Sequence, residues 1–459
     1  MKLTFIGAGG ARTPLVIQSI LDRQDRLPLR EVCMMDIDAE RLDLMRMVCQ
    51  TRLEPTRPAF RLTWTTDRQQ ALEGSDFIVL TFRVGGMRSR VVDEQVPLQY
   101  GVLGQETTGP GGFAMALRTI PALLAYVEDI RRLAPEAWLL IFANPSGMLT
   151  EAVTRVAGYE RALGICDDPS SMVRVAAAFA GVEPDRVFPE YFGLNHLGWL
   201  RAVYLDGRDR VPEMLRAVRQ AGGRIPGLPF DLDFIEALGL IPSEYLFFYY
   251  SMQQSVQNLL RAGQSRAQQI LPFNEQLYAS LRQIRDEGGD PARIEQAYTR
   301  YLAQRHETYM TLETGDKASK IAPAEAVSQL STAAEGYSGV ALDLIDGLRG
   351  ERGKVLILNV PNQGAIPGMA ADDVVEVTCL ARNGVVRPFA LGLIPDHALG
   401  WMKRVKAYER ATIEAAVERS YSLALRALAL NPFVPSFETA KAILDDYLRQ
   451  HRDYFPALG

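Results

Sequence analysis

Short apolar runs alternate with helical patterns along the first part of the chain. Between several of these runs, apolar residues recur at the spacing of an amphipathic helix, as in residues 15–21 and 39–52. The runs themselves cover residues 3–6, 32–35, 76–82, 138–142 and 162–166. Strands that alternate with helices in this way predict an α/β fold with a parallel, doubly wound sheet of the Rossmann type.

The pattern changes after about residue 200, where a Gly/Pro-rich stretch precedes long helical patterns. We expect a Rossmann-type domain over residues 1–195 and a second, mainly helical α+β domain for substrate binding and oligomerisation over residues 196–459. The helical patterns of this second part lie at residues 245–260, 293–305, 401–430 and 437–449, and its strand-like runs lie at 355–360 and 374–379.

The composition is typical of a globular protein and argues against nucleic-acid-binding, membrane and secreted proteins. The 459 residues are 47% hydrophobic, which is enough for a large core, and 50 basic against 55 acidic residues give a net charge of −5. Without a basic run we expect no nucleic-acid partner, and without an apolar run of about 20 residues we expect no membrane span. The N-terminus shows no secretion signal, and four scattered cysteines are typical of a reducing compartment, so we predict a cytoplasmic protein.

A glycine loop, Gly7-Ala8-Gly9-Gly10, follows the first predicted strand, and Thr13-Pro14 predicts a helix start with Thr13 as the N-cap. Backbone N–H groups in such a loop can approach a pyrophosphate. Asp36, at the end of the second strand, can accept hydrogen bonds from a ribose diol, which favours NAD over NADP. Glycines alone can simply close a turn. The order of strand, loop, helix, strand and acid nevertheless favours an NAD site formed by Gly7, Gly9, Gly10 and Asp36.

Cys166 and His196 are candidate metal ligands. Cys166 ends a predicted strand, so its thiol is expected at the carboxyl edge of the sheet, where ligands of open α/β folds bind. A lone cysteine is more often a small buried hydrophobe, and a lone histidine is often part of the core. Two protein ligands are also fewer than the three usual at catalytic zinc, so a metal here would need further ligands from substrate or water.

Three other segments allow a functional and a structural interpretation. Arg83, Arg88 and Arg90 follow the third strand and suit a phosphate or carboxylate, although a solvated basic loop is equally compatible. The glycine-rich stretch 104–112 is either an active-site loop or a long connection. Tyr245 begins a predicted helix with aromatic residues at 247–250, a pattern typical of core packing, and nothing in this pattern marks it as a base.

Taken together, these segments resemble glycoside hydrolase family 4, the NAD- and metal-dependent glycosidases. The resemblance runs over nearly the whole chain and implies a 6-phospho-glucosidase, more similar to the β-type than to the α-type members. Its most specific parts are the glycine loop, Arg83-Val84-Gly85-Gly86, Asp93-Glu94, the segment 100–112, Asn144-Pro145, Cys166 with Pro169, and Gly193-Leu194-Asn195-His196.

The resemblance implies a mechanism of oxidation, elimination, addition and reduction. NAD⁺ accepts a hydride from C3 of the sugar, and a divalent metal, commonly Mn²⁺, polarises the ketone so that a tyrosine can remove the C2 proton. The leaving group then departs from C1, water adds, and NADH returns its hydride. Carried over by position, Cys166 and His196 would hold the metal and Tyr245 would be the base.

The same resemblance implies the substrate contacts and the assembly. The C2 and C3 oxygens of the sugar would complete the metal coordination, and Arg83 and Arg90 would bind its 6-phosphate. Asn144 and Asn195 would lie at the sugar site. The implied fold is shared with lactate and malate dehydrogenases, including the C-terminal part, and the implied assembly is a homodimer or homotetramer.

The residue after the candidate metal cysteine, Asp167, leaves the preference for α- or β-linked substrates undecided. β-type members usually have asparagine after the metal cysteine, whereas α-type members tend to have aspartate, and a carboxyl group can donate a proton to the leaving group. Gly85-Gly86 and Asn144-Pro145 are more similar to the β-type, while Phe247 replaces a polar residue common in the family. The alternatives are a 6-phospho-α-glucosidase, a member acting on unphosphorylated glycosides, an ordinary NAD-dependent 2-hydroxy acid dehydrogenase, and a non-catalytic NAD sensor.

Overall fold

The computed structural model describes residues 1–225, 227–315 and 333–459, with the backbone alone for residues 333–338. The strands in these ranges are β1 (Lys2–Ile6), β2 (Glu31–Met35), β3 (Arg61–Thr65), β4 (Phe77–Leu80), β5 (Trp138–Ile141), β6 (Ala162–Gly164), β7 (Phe188–Leu194), β8 (Leu197–Leu205), β9 (Arg208–Asp209), β10 (Ile241–Pro242), β11 (Lys354–Pro361), β12 (Val374–Arg382) and β13 (Val385–Pro388).

Helices cover both faces of the larger sheet and form most of the region between β9 and β11. They are α1 (Thr13–Leu21), α2 (Ala39–Leu53), α3 (Arg68–Leu72), α4 (Gly86–Gln99), α5 (Gly109–Leu133), α6 (Ser146–Glu151), α7 (Asp168–Phe179), α8 (Val211–Gln220), α9 (Leu232–Leu238), α10 (Phe247–Tyr250), α11 (Met252–Ala262), α12 (Arg266–Asp286), α13 (Pro291–Glu307), α14 (Thr311–Thr314), α15 (Ala333–Arg349), α16 (Asp396–Glu418), α17 (Tyr421–Leu430) and α18 (Phe437–Gln450).

The larger sheet has the strand order β13-β12-β11-β6-β5-β4-β1-β2-β3. The six N-terminal strands are parallel, which confirms the predicted doubly wound fold. β11 to β13 add to it in antiparallel fashion, with Asn359 of β11 paired to Gly164 of β6. The smaller antiparallel sheet contains β7 to β10. One sheet therefore joins the N-terminal and C-terminal parts of the chain, and the division at residues 195 and 196 stays a prediction.

The central strands are apolar on both faces because helices cover both sides of a parallel sheet. All residues of β1 and β4 are buried, which is why they read as continuous apolar runs in the sequence. β3 was missing from the predicted strands because it lies at the edge of the sheet and its sequence, RLTWT, is half-exposed and polar.

The predicted start of the first helix and the predicted helical pattern at 401–430 were wrong in detail. Residues 401–430 do not form one helix: Arg419 adopts a φ of 55°, and the Ser420 hydroxyl accepts a hydrogen bond from the Leu423 N–H to start α17. Thr13 is the first residue of α1 rather than its N-cap, and Arg12 occupies the cap position without a capping hydrogen bond from its side chain. Within the described ranges, no helix is long and apolar enough to cross a membrane.

Candidate active site

One large cavity lies at the carboxyl edge of the parallel sheet, where ligands of open α/β folds bind. Its volume is about 1490 Å³. Residues that follow β1, β2, β4, β5 and β6 all contribute to its wall because parallel strands end at the same edge. The predicted site residues that line it are Gly7, Gly9, Gly10, Asp36, Arg83, Arg90, Asn144, Cys166, Asp167, His196 and Tyr245.

The glycine loop and Asp36 form one end of this cavity. Asp36 accepts hydrogen bonds from the backbone N–H groups of Gly9, at 2.8 Å, and Asp38, at 3.0 Å. Gly7 has a φ of +93°, and a Cβ there would lie 2.6 Å from the Phe82 backbone nitrogen. The loop is therefore packed against the strand ends and the acid, as a loop that brings backbone close to a ligand must be.

Helices α12 and α13 hold the glycine loop from the opposite side. The Tyr278 hydroxyl donates to the Gly9 carbonyl oxygen at 2.9 Å, and the Tyr298 hydroxyl donates to the Ala11 carbonyl oxygen at 2.9 Å. The sequence did not predict these contacts, since they join residues more than 260 positions apart. The only signal was a pair of tyrosines in otherwise polar helical patterns.

His196 lines the cavity and has an unpartnered ring nitrogen. It is 3% exposed and adopts a φ of 63°, and its Nδ1 is buried without a hydrogen-bond partner. Burial lowers the pKa of His196 to about 4, so the imidazole is neutral at physiological pH. A neutral imidazole nitrogen without a partner is the form of histidine that binds a metal ion.

Cys166 lines the same cavity and is 6% exposed. Burial is the main cause that raises the pKa of its thiol well above the ordinary value, so without a cation the sulfur is protonated. Among the described residues, no group of three or more His, Cys, Asp and Glu side chains is arranged to hold a metal ion. A metal held by Cys166 and His196 would therefore keep open coordination positions.

Asn195 lies beneath this site rather than in the cavity wall. Its Nδ2 donates to Oε1 of Glu376 at 3.3 Å, and the Asn359 Nδ2 donates to the same oxygen at 2.8 Å. The Tyr191 hydroxyl donates to the other Glu376 oxygen at 3.0 Å. This buried network supports the turn that carries His196, so the placement of Asn195 favours structural support over the predicted contact with substrate.

Arg83 and Arg90 reach the cavity but already have carboxylate partners. Both guanidinium groups pair with Glu106, and Arg90 also pairs with Glu94 at 2.7 Å. The distance from the Arg90 nitrogen to Glu106 is 2.9 Å. The two arginines that the sequence identified are thus fixed in position by acids.

Arg266 and Arg305 bring further positive charge into the cavity and were missed by the sequence analysis. Burial, together with the charges of Arg305 and Arg90, lowers the pKa of Arg266 to about 10. The pKa of Arg305 is also lowered, mainly by burial and also by the charges of Arg12 and Arg90. Cations that lower each other's pKa in a buried site favour an anion there.

Tyr245 stands beside His196 with its hydroxyl in a polar chain. The two rings stack with centroids 3.7 Å apart and an interplanar angle of 7°. The Tyr245 hydroxyl lies 3.1 Å from the Tyr309 hydroxyl, which donates to Glu244. Burial raises the pKa of Tyr245 well above the ordinary value. The sequence identified Tyr245 only through the family resemblance and did not identify Tyr309 or Glu244.

Tyr245 lies in the middle of a short 3₁₀ turn, Glu244–Leu246, and does not begin the long helix predicted over residues 245–260. Helix α10 follows it, and Ser251, with a φ of −129°, separates α10 from α11. Phe247 is 2% exposed and packs on Phe230, with centroids 6.1 Å apart. Phe247 is therefore a core residue and does not line the cavity.

Two family models match this chain. The model described as family 4 glycosyl hydrolase matches residues 2–181, and the model of the family 4 C-terminal domain matches residues 191–434. The chain belongs to glycoside hydrolase family 4. A Bacillus subtilis (strain 168) member, described as a probable 6-phospho-beta-glucosidase, is 32% identical to it over 99% of this chain and 97% of its own length.

Solved structures of family 4 members share the whole fold. The 6-phospho-beta glucosidase of Thermotoga maritima, solved with manganese, NAD⁺ and glucose-6-phosphate, has a TM-score of 0.82 and 29% identity, with both chains fully covered. A 6-phospho-alpha-glucosidase from gut microorganisms, in complex with NAD and Mn²⁺, has a TM-score of 0.83 and 26% identity over 100% of this chain and 99% of that chain.

The predicted likeness to malate dehydrogenase is confirmed at the level of the fold. The malate dehydrogenase of Cryptosporidium parvum matches this family 4 member with a TM-score of 0.51 and 12% identity, over 91% of this chain and 99% of that chain. The similarity in fold between this chain and malate dehydrogenase therefore extends well beyond the N-terminal strands.

Proposed function

We propose that this family 4 member hydrolyses 6-phospho-glucosides through transient oxidation of the sugar by NAD⁺, and that its preferred substrates are β-linked. The observation that carries the proposal is that one cavity joins the glycine loop and Asp36 to the Cys166 and His196 pair, with Tyr245 stacked on the histidine. This arrangement supports a cofactor end and a metal end within reach of one sugar.

The residues at each end suit the groups that would bind there. When bound, NAD⁺ would supply a hydride acceptor and donor, and a divalent metal, which we propose is Mn²⁺, would supply a Lewis acid for the C2 and C3 oxygens. Gly7, Gly9 and Gly10 offer backbone for the pyrophosphate, and Asp36 retains lone pairs for a ribose diol. The unpartnered Nδ1 of His196 suits the metal.

Tyr245 and Asp167 would handle the protons. The Tyr245 hydroxyl would accept the C2 proton once the neighbouring carbon is a ketone. Asp167 lines the same cavity, and its charge adds to the raised pKa of both Tyr245 and Glu244. We infer that Asp167 donates a proton to the oxygen that leaves C1, while Asn144 lines the sugar site.

The arginines would bind the 6-phosphate. Arg266 and Arg305 carry buried positive charge, and Arg83 and Arg90 stand on the same cavity held by Glu106. A dianion such as a sugar phosphate would offset the repulsion that Arg266 and Arg305 experience from neighbouring cations. We therefore expect the phosphate to be required for efficient turnover.

An assay series with chromogenic glucosides tests this function. With NAD⁺, Mn²⁺ and a reductant, the enzyme should cleave the nitrophenyl 6-phospho-β-glucoside fastest, and should cleave the α-anomer and the unphosphorylated β-glucoside at least about 100-fold more slowly. The α-anomer presents its leaving group on the opposite face of C1, and the unphosphorylated glucoside lacks the group that the arginines would bind. Faster cleavage of the α-anomer would reverse the assigned anomer. Stoichiometric accumulation of NADH would instead show an ordinary dehydrogenase.

Replacing Gly9 with alanine should weaken NAD⁺ binding. A Cβ at Gly9 would lie 2.9 Å from Oδ2 of Asp36, so the carboxylate must shift away from the loop. We expect the dissociation constant for NAD⁺, measured by calorimetry, to rise at least about tenfold, the equivalent of one lost hydrogen bond. Gly400→Ala is the control, because a Cβ there meets nothing within 4 Å. Equal affinity of Gly9→Ala and wild type would contradict the assigned loop.

We also propose a cytoplasmic location and a homodimeric or homotetrameric assembly. All four cysteines are buried and free, which supports a reducing compartment. The assembly rests on the family resemblance alone.

A further inference from the structure

A chain of three polar side chains begins at the Tyr245 hydroxyl. This hydroxyl lies 3.1 Å from the Tyr309 hydroxyl, and Tyr309 donates its hydrogen to Oε1 of Glu244. A phenol has a single hydrogen to donate. Because Tyr309 uses its hydrogen for Glu244, the bond between the phenols must run from the Tyr245 O–H to the Tyr309 oxygen. The Tyr245 hydrogen therefore points toward Tyr309. The lone pairs of the Tyr245 oxygen are left for a group in the cavity.

The members of this chain come from two separate parts of the fold. Glu244 and Tyr245 are neighbours in the 3₁₀ turn after β10, and the stack on His196 fixes the Tyr245 ring. Tyr309 belongs to the turn between α13 and α14 and is 39% exposed, the most open of the three. The chain thus leads from the metal end of the cavity to a carboxylate that does not line the main cavity.

We propose that Tyr309 and Glu244 position the Tyr245 hydroxyl and carry the C2 proton of the sugar away from it, a role that rests on the proposed function of Tyr245 as the base. In this step the C2–H bond breaks and its proton bonds to the Tyr245 oxygen. The Tyr245 hydrogen moves to Tyr309, and the Tyr309 hydrogen moves to the Glu244 carboxylate, which becomes a carboxylic acid. The electron pair left at C2 forms the C1–C2 double bond as the C1–O bond breaks, so the step needs no oxidant.

The environment of Glu244 suits a group that accepts a proton and later returns it. Burial raises the pKa of Glu244 to about 7, and the charge of Asp167 adds to the increase. The hydrogen bond from Tyr309 acts in the opposite direction and lowers this pKa. A carboxyl group that titrates near neutral pH can exchange protons in both directions during turnover. Through the chain, Tyr245 need not be a phenolate before substrate binds.

Two substitutions test the chain in the enzyme loaded with NAD⁺ and Mn²⁺. Tyr309→Phe removes the bridge, and Glu244→Gln keeps an acceptor for the Tyr309 hydrogen bond but cannot take up the proton. With the nitrophenyl 6-phospho-β-glucoside, each variant should lower kcat about 100-fold, the size of a lost acid–base contribution. KM should stay unchanged, and the isotope effect of deuterium at C2 should increase, because proton removal becomes the slow step.

Tyr100→Phe is the matched control. Tyr100 is also 39% exposed, and its hydroxyl also donates to a carboxylate, that of Asp446, at 2.7 Å. It does not line the cavity, so its variant should behave as wild type.

The outcomes separate the chain from the function on which it rests. Wild-type kcat in both Tyr309→Phe and Glu244→Gln, with Tyr245→Phe inactive, would overturn the chain and leave the base in place. Wild-type kcat in Glu244→Gln alone would limit the chain to orienting Tyr245 and overturn the transfer to Glu244. Full turnover of Tyr245→Phe would instead overturn the base itself.

Discussion

Replacing His196 with alanine should abolish Mn²⁺ binding and, with it, turnover. The Nδ1 of His196 is buried and unpartnered, and the lowered pKa of His196 leaves the imidazole neutral and available to a cation. Cys166 is the only other side chain that we propose as a metal ligand. Loss of a supporting residue around a metal already weakens binding by about 10- to 100-fold. Loss of a direct ligand should exceed that range, and Cys166→Ser should have a similar effect.

The measurement is the dissociation constant for Mn²⁺, read from the paramagnetic resonance signal of the free ion. His397→Ala is the control, because His397 is an exposed histidine in the first turn of α16. NAD⁺ affinity in the absence of metal should stay the same in all variants, which separates loss of the metal from collapse of the cavity. Wild-type Mn²⁺ affinity in both His196→Ala and Cys166→Ser would refute the site.

The meeting of the glycine loop and Asp36 at one end of the cavity was predictable from the sequence because each directly follows a strand. Gly7, Gly9 and Gly10 directly follow an apolar strand, and Asp36 directly follows the next one. Parallel neighbouring strands end at one edge, so their spacing along the chain also predicts their meeting in space. Cys166 was predictable for the same reason, since it follows β6.

The other wall of the cavity could not be predicted in this way. Arg266, Arg305 and Tyr309 come from helices and a turn whose contacts depend on how α12 and α13 pack on the rest of the fold. Arginine and tyrosine in an amphipathic helix are also ordinary surface residues, so their identity carries no signal. The resemblance identified Tyr245, but its stacking on His196 and its hydrogen bond to Tyr309 are visible only in the structure.

The same limit explains the errors in secondary structure. β3 pairs with β2 at the edge of the sheet and is only partly buried, so no apolar run marks it. The break between α16 and α17 depends on one residue, Arg419, in a left-handed conformation within an otherwise helical pattern. A non-glycine residue there is uncommon and leaves no trace in hydrophobic periodicity.

Replacing Tyr245 with phenylalanine should remove catalysis while preserving both binding sites. The phenyl ring keeps the stack on His196 and loses only the hydroxyl proposed to accept the C2 proton. We expect kcat to fall about 1000-fold, within the range of a positioned general base, while Mn²⁺ and NAD⁺ affinities stay at wild-type values. Tyr245→Ala should also weaken Mn²⁺ binding, because it removes the ring that holds the imidazole.

Isotope effects then identify the step that has become slow. With phenylalanine at position 245, deuterium at C2 of the substrate should slow the residual turnover more than in wild type, and deuterium at C3 should lose its effect, because proton removal now limits the rate. Tyr421→Phe is the control, since its hydroxyl bonds to Asp445 away from the cavity. If Tyr245→Phe turned over as fast as this control, the proton at C2 would have to leave by another group, and Asp167, which lines the same cavity, would be the first to substitute.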